Sequence, residues 1–345
     1  MSPSPGTAAP PRRPLRVGLI GAGGIAGVHL DAYRRNPDAA TVVAVADSNV
    51  SALEARAGEL AVPGFADYGA MIRQSELDAV DICLPHHLHA EAIIRAAEAG
   101  KHILCEKPLC TSDAESEEVR RAVNRSGVTV MSGHNQVFRP VIDKARSLIT
   151  SGALGDLYSA SVSCTFRLDL DADSIGWRGR RSDSGGGALI DSGFHPVYLL
   201  LYLLDDEPVE VSAMLSRARL GFLDGEDTAH VLVRFAHGAV GCVTTSWAYE
   251  AADAAESIAV AGSGGAIAGN DHELVLTNGL GERETFQLEA PDTFSALVRH
   301  FADAVSQGSR PVQNEVDGAR ALRVVLAAYR AHESGVRQSL ADTEG

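Results

Sequence analysis

The chain has 345 residues, with 30 basic and 45 acidic side chains, a formal charge of −15, and 45% hydrophobic against 22% charged residues. That length provides for about two domains with real cores, and the composition excludes a disordered or fibrous chain. The acidic balance argues against a nucleic-acid binder, which needs clustered positive charge.

Only three of the 30 basic residues are lysines, Lys101, Lys107 and Lys144. Arginine is almost never deprotonated, so a lysine kept in an arginine-using chain is a candidate for proton or point-charge chemistry. The five cysteines, Cys83, Cys105, Cys110, Cys164 and Cys242, are odd in number and form no C-x-x-C pair. They read as free thiols in a reducing compartment, and no Cys/His spacing resembles a structural zinc site, so no metal is expected. Residues 1–14 are rich in Pro, Ser and Ala without the apolar stretch of a secretory signal, and read as a disordered tail. The longest apolar run, Val197–Leu204, is far short of the ~20 residues that span a bilayer. The expectation is a soluble, cytoplasmic protein with no membrane partner.

In chain order, strands are predicted at Leu15–Ile20, Thr41–Ala46, Ala79–Leu84, His102–Cys105 and Val128–Met131. Helices are expected between them at Ile25–Arg35, Val50–Leu60, Ala90–Ala99 and Ser112–Asn124. This alternation predicts an α/β fold, a doubly wound parallel sheet over residues 15–135. From residue 136 onward the rhythm changes. A helix at Val141–Thr150, a strand at Leu157–Phe166 and a helix at Ala188–Leu204 precede strands near Val209–Leu220, Thr228–Phe235, Ala239–Tyr249, Ser257–Ala261, Glu273–Thr277 and Glu284–Leu288. Short turns, including Gly262–Gly265, predict an open, mostly antiparallel sheet. Helices at Thr293–Gln307 and Val316–Glu333 close the chain, the last one packing back on the first domain.

The segment Gly21, Ala22, Gly23, Gly24, Ile25, Ala26 matches G-x-G-x-x-A between a strand and a helix, and Asp47 ends the second strand 21 residues after Ala26. Gly21 allows the tight turn, Gly23 admits a pyrophosphate, Ala26 lets helix and strand approach, and the helix start faces the phosphates. A carboxylate at Asp47, followed by Ser48, accepts ribose hydroxyls and repels a 2′-phosphate, so NAD is favoured over NADP. Glu106, Lys107 and Pro108 follow a strand at the carboxyl edge of the sheet, where such sheets place ligands. Asp191 and His195 are four apart after the run Gly185–Gly187, so on a helix they share a face, with the carboxylate orienting a general base.

Together these segments resemble the Gfo/Idh/MocA oxidoreductase family, which includes glucose–fructose oxidoreductase and inositol and sugar dehydrogenases. The resemblance spans about residues 15–335. It implies a Rossmann domain and a C-terminal domain (136–345) whose open sheet forms homodimers or homotetramers. It also implies a catalytic set of Lys107, Asp191 and His195. Leu84, Pro85, His86 and His89 stand where the family has a T-P-N-x-x-H segment that lines the cofactor; His86 replaces the usual Asn. Asn135 falls in a G-x-N segment in which Val137 replaces a frequent Arg. Trp177 and Arg178 resemble a Trp-Arg pair that approaches the nicotinamide. Gly21, Gly23, Gly24, Ile25, Ala26, Asp47, Ser48, Glu106 and Lys107 complete the implied cofactor site. The expected reaction is hydride transfer between a secondary alcohol or ketone of a sugar, inositol or polyol and nicotinamide C4, with either His195 or Lys107 as the base. Two rivals remain at this point, an NAD-dependent glycoside hydrolase with transient ring oxidation and a non-catalytic NAD-sensing regulator.

Overall fold

The structure, a computed structural model, describes residues 13–249, 257–289 and 292–340. The tail expected over 1–14 lies outside them except for Arg13 and Pro14, and the Arg13 guanidinium forms a two-pronged pair with Asp78 at 2.6 and 2.8 Å.

The N-terminal part runs β1 (Leu15–Ile20), α1 (Gly24–Arg35), β2 (Ala40–Ala46), α2 (Val50–Leu60), β3 (Gly64–Phe65), α3 (Tyr68–Gln74), β4 (Ala79–Ile82), α4 (His89–Glu98), β5 (His102–Cys105), α5 (Asp113–Ser126) and β6 (Val130–Ser132). All six strands pair in parallel in the order β3-β2-β1-β4-β5-β6. The winding reverses between β1 and β4, and the crevice above the strands' carboxyl ends at that point is the ligand site of this topology. β4 is buried throughout, as a strand covered on both faces must be. Side chains of Asn49, Asp67 and Ser112 cap α2, α3 and α5 by accepting from their first free amides. β3 and α3, not anticipated above, are too short for periodicity to reveal.

The chain continues with α6 (Pro140–Thr150), β7 (Leu157–Thr165), α7 (Arg181–Ser184), α8 (Phe194–Leu204), β8 (Pro208–Ser216), β9 (Thr228–Phe235), β10 (Val240–Ser246), β11 (Ser257–Gly262), β12 (Gly265–Gly269), β13 (Glu273–Asn278), β14 (Arg283–Gln287), α9 (Thr293–Gln307), α10 (Glu315–Ser334) and β15 (Gln338–Ser339). The second sheet has the order β14-β13-β12-β11-β7-β10-β9-β8-β15. Among the described residues of this sheet, only β7 and β10 pair in parallel. β12 is an interior strand that the Gly- and Ala-rich sequence hid; its order comes from ladders to β11 and β13.

One face of this sheet buries Ala160, Val162, Val231, Val233, Val243 and Val260 in the core shared with α8 and α10. The opposite face carries Ala259, Ser161, Cys242, Leu232 and Ser212 in lateral register across five strands, all small but Leu232. Leu232 is 50% and Met214 80% exposed there.

Both C-terminal helices return to the first domain. α9 buries Leu297, Val298 and Phe301 with Leu19, Leu30 and Val45, while Arg299 grips Asp38 through two 2.7 Å bonds. In α10, Gly318 lies so close to Leu109 that a Cβ would sit 2.8 Å from its Cδ1.

Candidate active site

The glycine loop after β1 is built for close approach by a ligand. Gly21 has φ +97°, and a Cβ there would overlap the Cys83 carbonyl, so only glycine fits. At Gly23 and Gly24 the space a Cβ would occupy is open, with nothing within 4 Å. Among the described residues no side chain caps α1 at Gly23, in contrast to α2, α3 and α5, so its first amides remain available. Half-buried Ile25 and fully buried Ala26 continue into the helix. Asp47 is fixed beside the loop: its Oδ2 accepts from Ala22 N and its Oδ1 from Asn49 N, both at 2.7 Å. Ser48 is exposed next to it. Bare glycines, free amides at a helix start and a held carboxylate fit a dinucleotide, with the pyrophosphate at the amides and a ribose at Asp47.

Across the switch point, Glu106 and Lys107 leave β5, and the Lys107–Pro108 peptide is cis. The Lys107 ammonium is 8% exposed and donates to both Asp191 O and Asp191 Oδ1 at 2.8 Å. Asp191 Oδ2 accepts from Arg178 Nε at 2.7 Å. Burial opposes the Asp191 anion, but the Lys107 charge and hydrogen bond, with the Arg178 charge, hold its carboxyl well below the usual carboxylate range. The Arg178 guanidinium also stacks 4.5 Å over the Trp177 ring.

The expected helix Ala188–Leu204 begins only at Phe194, so Asp191 and His195 do not share a helical face. The cause is tertiary. Glu226 O accepts from Ala188 N at 2.8 Å, and the Glu226 carboxylate accepts from Leu189 N at 2.8 Å, Gly187 N at 3.2 Å and the Tyr329 hydroxyl at 3.0 Å. These bonds divert amides that a helix would use. A Cβ on Gly186 would overlap the Tyr329 hydroxyl and one on Gly187 the Glu226 carbonyl, so the glycine run is a packing requirement. Asp191 therefore serves Lys107 and Arg178 rather than orienting His195. His195 Nδ1 lies 2.7 Å from the Tyr198 hydroxyl, which accepts from Gln136 N at 3.2 Å. Burial and the nearby Lys107 charge push the His195 imidazole down to about 3, so it is neutral at pH 7.

The histidines after β4 clip the domains together. His86 Nδ1 lies 2.8 Å from Ser184 O and His87 Nδ1 3.0 Å from Asp183 O. His86 also meets the Trp177 ring edge-on at 4.5 Å, and burial pushes it down to about 3. His89 reaches Pro108 O and Leu84 O at 2.7 and 2.8 Å. Leu84 and Pro85, both half-buried, form the turn from which these rings project. The Asn135 amide donates to Thr293 Oγ1 at 2.9 Å, tying the end of β6 to α9.

Sequence reasoning passed over four groups here: Tyr198, Glu226, His29 and Asp81. An aspartate inside the apolar strand β4 was the available signal for the last; Glu226 and Tyr198 act through contacts distant in sequence.

Residues 15–134 match the NAD-binding Rossmann domain of the GFO_IDH_MocA oxidoreductase family, and residues 142–268 match the GFO/IDH/MocA C-terminal domain. Inositol 2-dehydrogenase of Rhizobium meliloti is 30% identical over 92% of this chain and 96% of its own. The chain belongs to the Gfo/Idh/MocA family. Levoglucosan dehydrogenase of Pseudarthrobacter phenanthrenivorans is 33% identical over 66% of each chain. Among solved structures, levoglucosan dehydrogenase in complex with NADH and levoglucosan has a TM-score of 0.88 at 26% identity, covering 96% of this chain and 100% of that one. This member of the family is thus an NAD-binding oxidoreductase with the architecture that the glycine loop and the Lys107 segment suggested.

Proposed function

We propose that the protein transfers hydride reversibly between a secondary carbinol of a sugar, inositol or related polyol and NAD, with Lys107 and His195 handling the hydroxyl proton and the charge on the reacting oxygen. The observation that carries this reading is the pairing of a cationic Lys107, anchored to Asp191 through two hydrogen bonds, with a neutral His195 at the same crevice edge. A bound nicotinamide would supply or accept the hydride.

The chain's own residues divide the remaining work. Two Lys107 protons are spent on Asp191, so one is left to bond a substrate oxygen and ease developing alkoxide charge. The neutral imidazole of His195, donating through Nδ1 to the Tyr198 oxygen, keeps Nε2 bare to take the hydroxyl proton. Asp191, held between Lys107 and Arg178, balances their charge and fixes the position of Lys107.

Asp47 supports NAD over NADP. Its carboxylate stands at the ribose end of the crevice, and the nearby Arg56 is committed to Glu59 at 2.7 Å. The small-residue face of the nine-stranded sheet, with Leu232 and Met214 exposed, supports a homodimer or homotetramer through that face. The five free cysteines fit a cytoplasmic setting.

The test is absorbance at 340 nm with the purified chain, NAD or NADP, and a panel of inositols, hexoses and ketosugars. NAD-linked change with at least one polyol–ketone pair is expected. Glycoside cleavage with no net absorbance change, or preference for NADP, would overturn the respective part.

A further inference from the structure

Beneath the crevice lies a charged chain that the proposed mechanism does not use. His29 on α1 and Asp81 on β4 are both 0% exposed, and Glu106 after β5 is 9% exposed. His29 Nδ1 lies 2.8 Å from Asp81 Oδ2, and His29 Nε2 lies 3.0 Å from Glu106 Oε1. Tyr33 donates its hydroxyl to Asp81 Oδ2 at 3.0 Å, and the Cys83 thiol approaches Asp81 Oδ1 at 3.8 Å. The Phe294 ring closes the side, with its centroid 5.2 Å from that of His29.

Donor atoms of His29, Asp81 and Cys83 all lie within 4.8 Å of one another, a spacing that would also suit a metal ion. Here they hydrogen-bond to each other, and burial pushes the Cys83 thiol up to about 12, so no thiolate is offered.

Proton counting fixes the charge. A bare ring nitrogen against a bare carboxylate oxygen would set lone pair against lone pair, so each of the two contacts holds one proton, and His29, raised above its ordinary value, keeps both. One imidazolium between two carboxylates leaves the chain with a net charge of −1. The shifts agree: His29 is raised well above its ordinary value, since the Asp81 charge and hydrogen bond overcome burial, and Glu106, despite burial, is brought down to about 2 by His29 and then Lys107. Asp81 is surrounded by three donors, whereas among the described residues the side-chain hydrogen bond to Glu106 comes from His29 alone, so the surplus charge surfaces at Glu106. Gly133 makes room for it, since a Cβ there would lie 3.1 Å from Glu106 Oε1.

Glu106 borders the half of the crevice above β4, β5 and β6, across the switch point from Asp47. In a dinucleotide-binding sheet, one nucleotide occupies each half. With the adenosine ribose at Asp47, this half receives the nicotinamide, whose ring is cationic when oxidised and neutral when reduced. We propose that the buried Asp81–His29–Glu106 chain holds a fixed negative charge against the nicotinamide and biases the protein toward the oxidised cofactor. This rests on the cofactor reading given above. His29 and Asp81 are positioning residues that act through Glu106.

The test measures dissociation constants of NAD+ and NADH separately, by calorimetry on the full chain and its variants. Glu106→Gln removes the charge while keeping shape. It should lower the ratio Kd(NADH)/Kd(NAD+) about tenfold, the scale of one partly screened charge a few ångströms from the ring. Glu106→Asp, which keeps the charge, should restore most of the ratio. Equal weakening of both dinucleotides by Glu106→Gln would reduce the chain to a structural element and overturn the inference. Binding of neither dinucleotide by the unaltered protein would instead overturn the cofactor reading, and the inference with it.

Discussion

The two glycine-rich segments of this chain look alike in sequence and obey different rules. In Gly21–Gly24 the reasons are local: a positive φ, an uncapped helix start, and open space where side chains would stand. In Gly185–Asp191 they are tertiary, because Glu226 and Tyr329, distant in sequence, occupy the positions of the missing Cβ atoms and bind the amides. A motif read from neighbours alone is therefore sound in the first case and misleading in the second, where a helix was expected six residues too early. The histidines divide in a similar way. His29, placed between two hydrogen-bonded carboxylates, is charged, whereas burial keeps His86, His134 and His195 neutral despite nearby carboxylates.

The largest expected effect follows from that division. His86 and His195 are pushed down to about 3 and His134 to about 4, well below an unfolded value near 6.5. The unfolded chain therefore binds more protons between pH 6 and 4.5. Stability should fall with pH there, with a slope of up to about 1.4 kcal/mol per pH unit for each buried histidine. His29 is protonated in both states over that window and contributes no slope; its own stabilisation is lost only as pH rises above 6.5. Thermal unfolding from pH 7.5 down to 4.5 checks this, and a flat profile between 6 and 5 would count against neutral histidines.

Next in size, Gly187→Ala should cost about 3 kcal/mol and disturb Asp191, because the new methyl group meets backbone rather than a movable side chain. Glu226→Gln should cost about 1–2 kcal/mol, as its amide cannot accept from all the donors that converge on the carboxylate. Gly23→Ala should leave the melting temperature of the ligand-free protein unchanged while weakening NAD binding about tenfold, since open space receives the methyl group. Equal melting temperatures for Gly187→Ala and Gly23→Ala would erase the distinction between the two runs.

The parallel sheet was legible because its strands are continuous apolar runs and its helices carry local caps such as Ser112. The crevice residues Asp47, Glu106 and Lys107 were legible because strand ends locate them. β12 was not, since Gly and Ala in an interior strand carry no pattern of their own. Nor were the partners of Asp191 and His195 legible: which side chain a buried carboxylate meets is set by the packing of β5, the Trp177–Arg178 loop and α8, separated by up to 84 positions in the Lys107–Asp191 pair.

The central claim is that Lys107 and His195 together carry the proton and charge of a hydride transfer. Single-turnover formation of NADH, with a polyol identified by the 340 nm screen and saturating NAD, tests it most directly. Lys107→Ala and His195→Ala should each slow that step by about 10²–10⁴-fold, while NAD binding survives in His195→Ala. Wild-type rates of NADH formation in both variants would contradict the account.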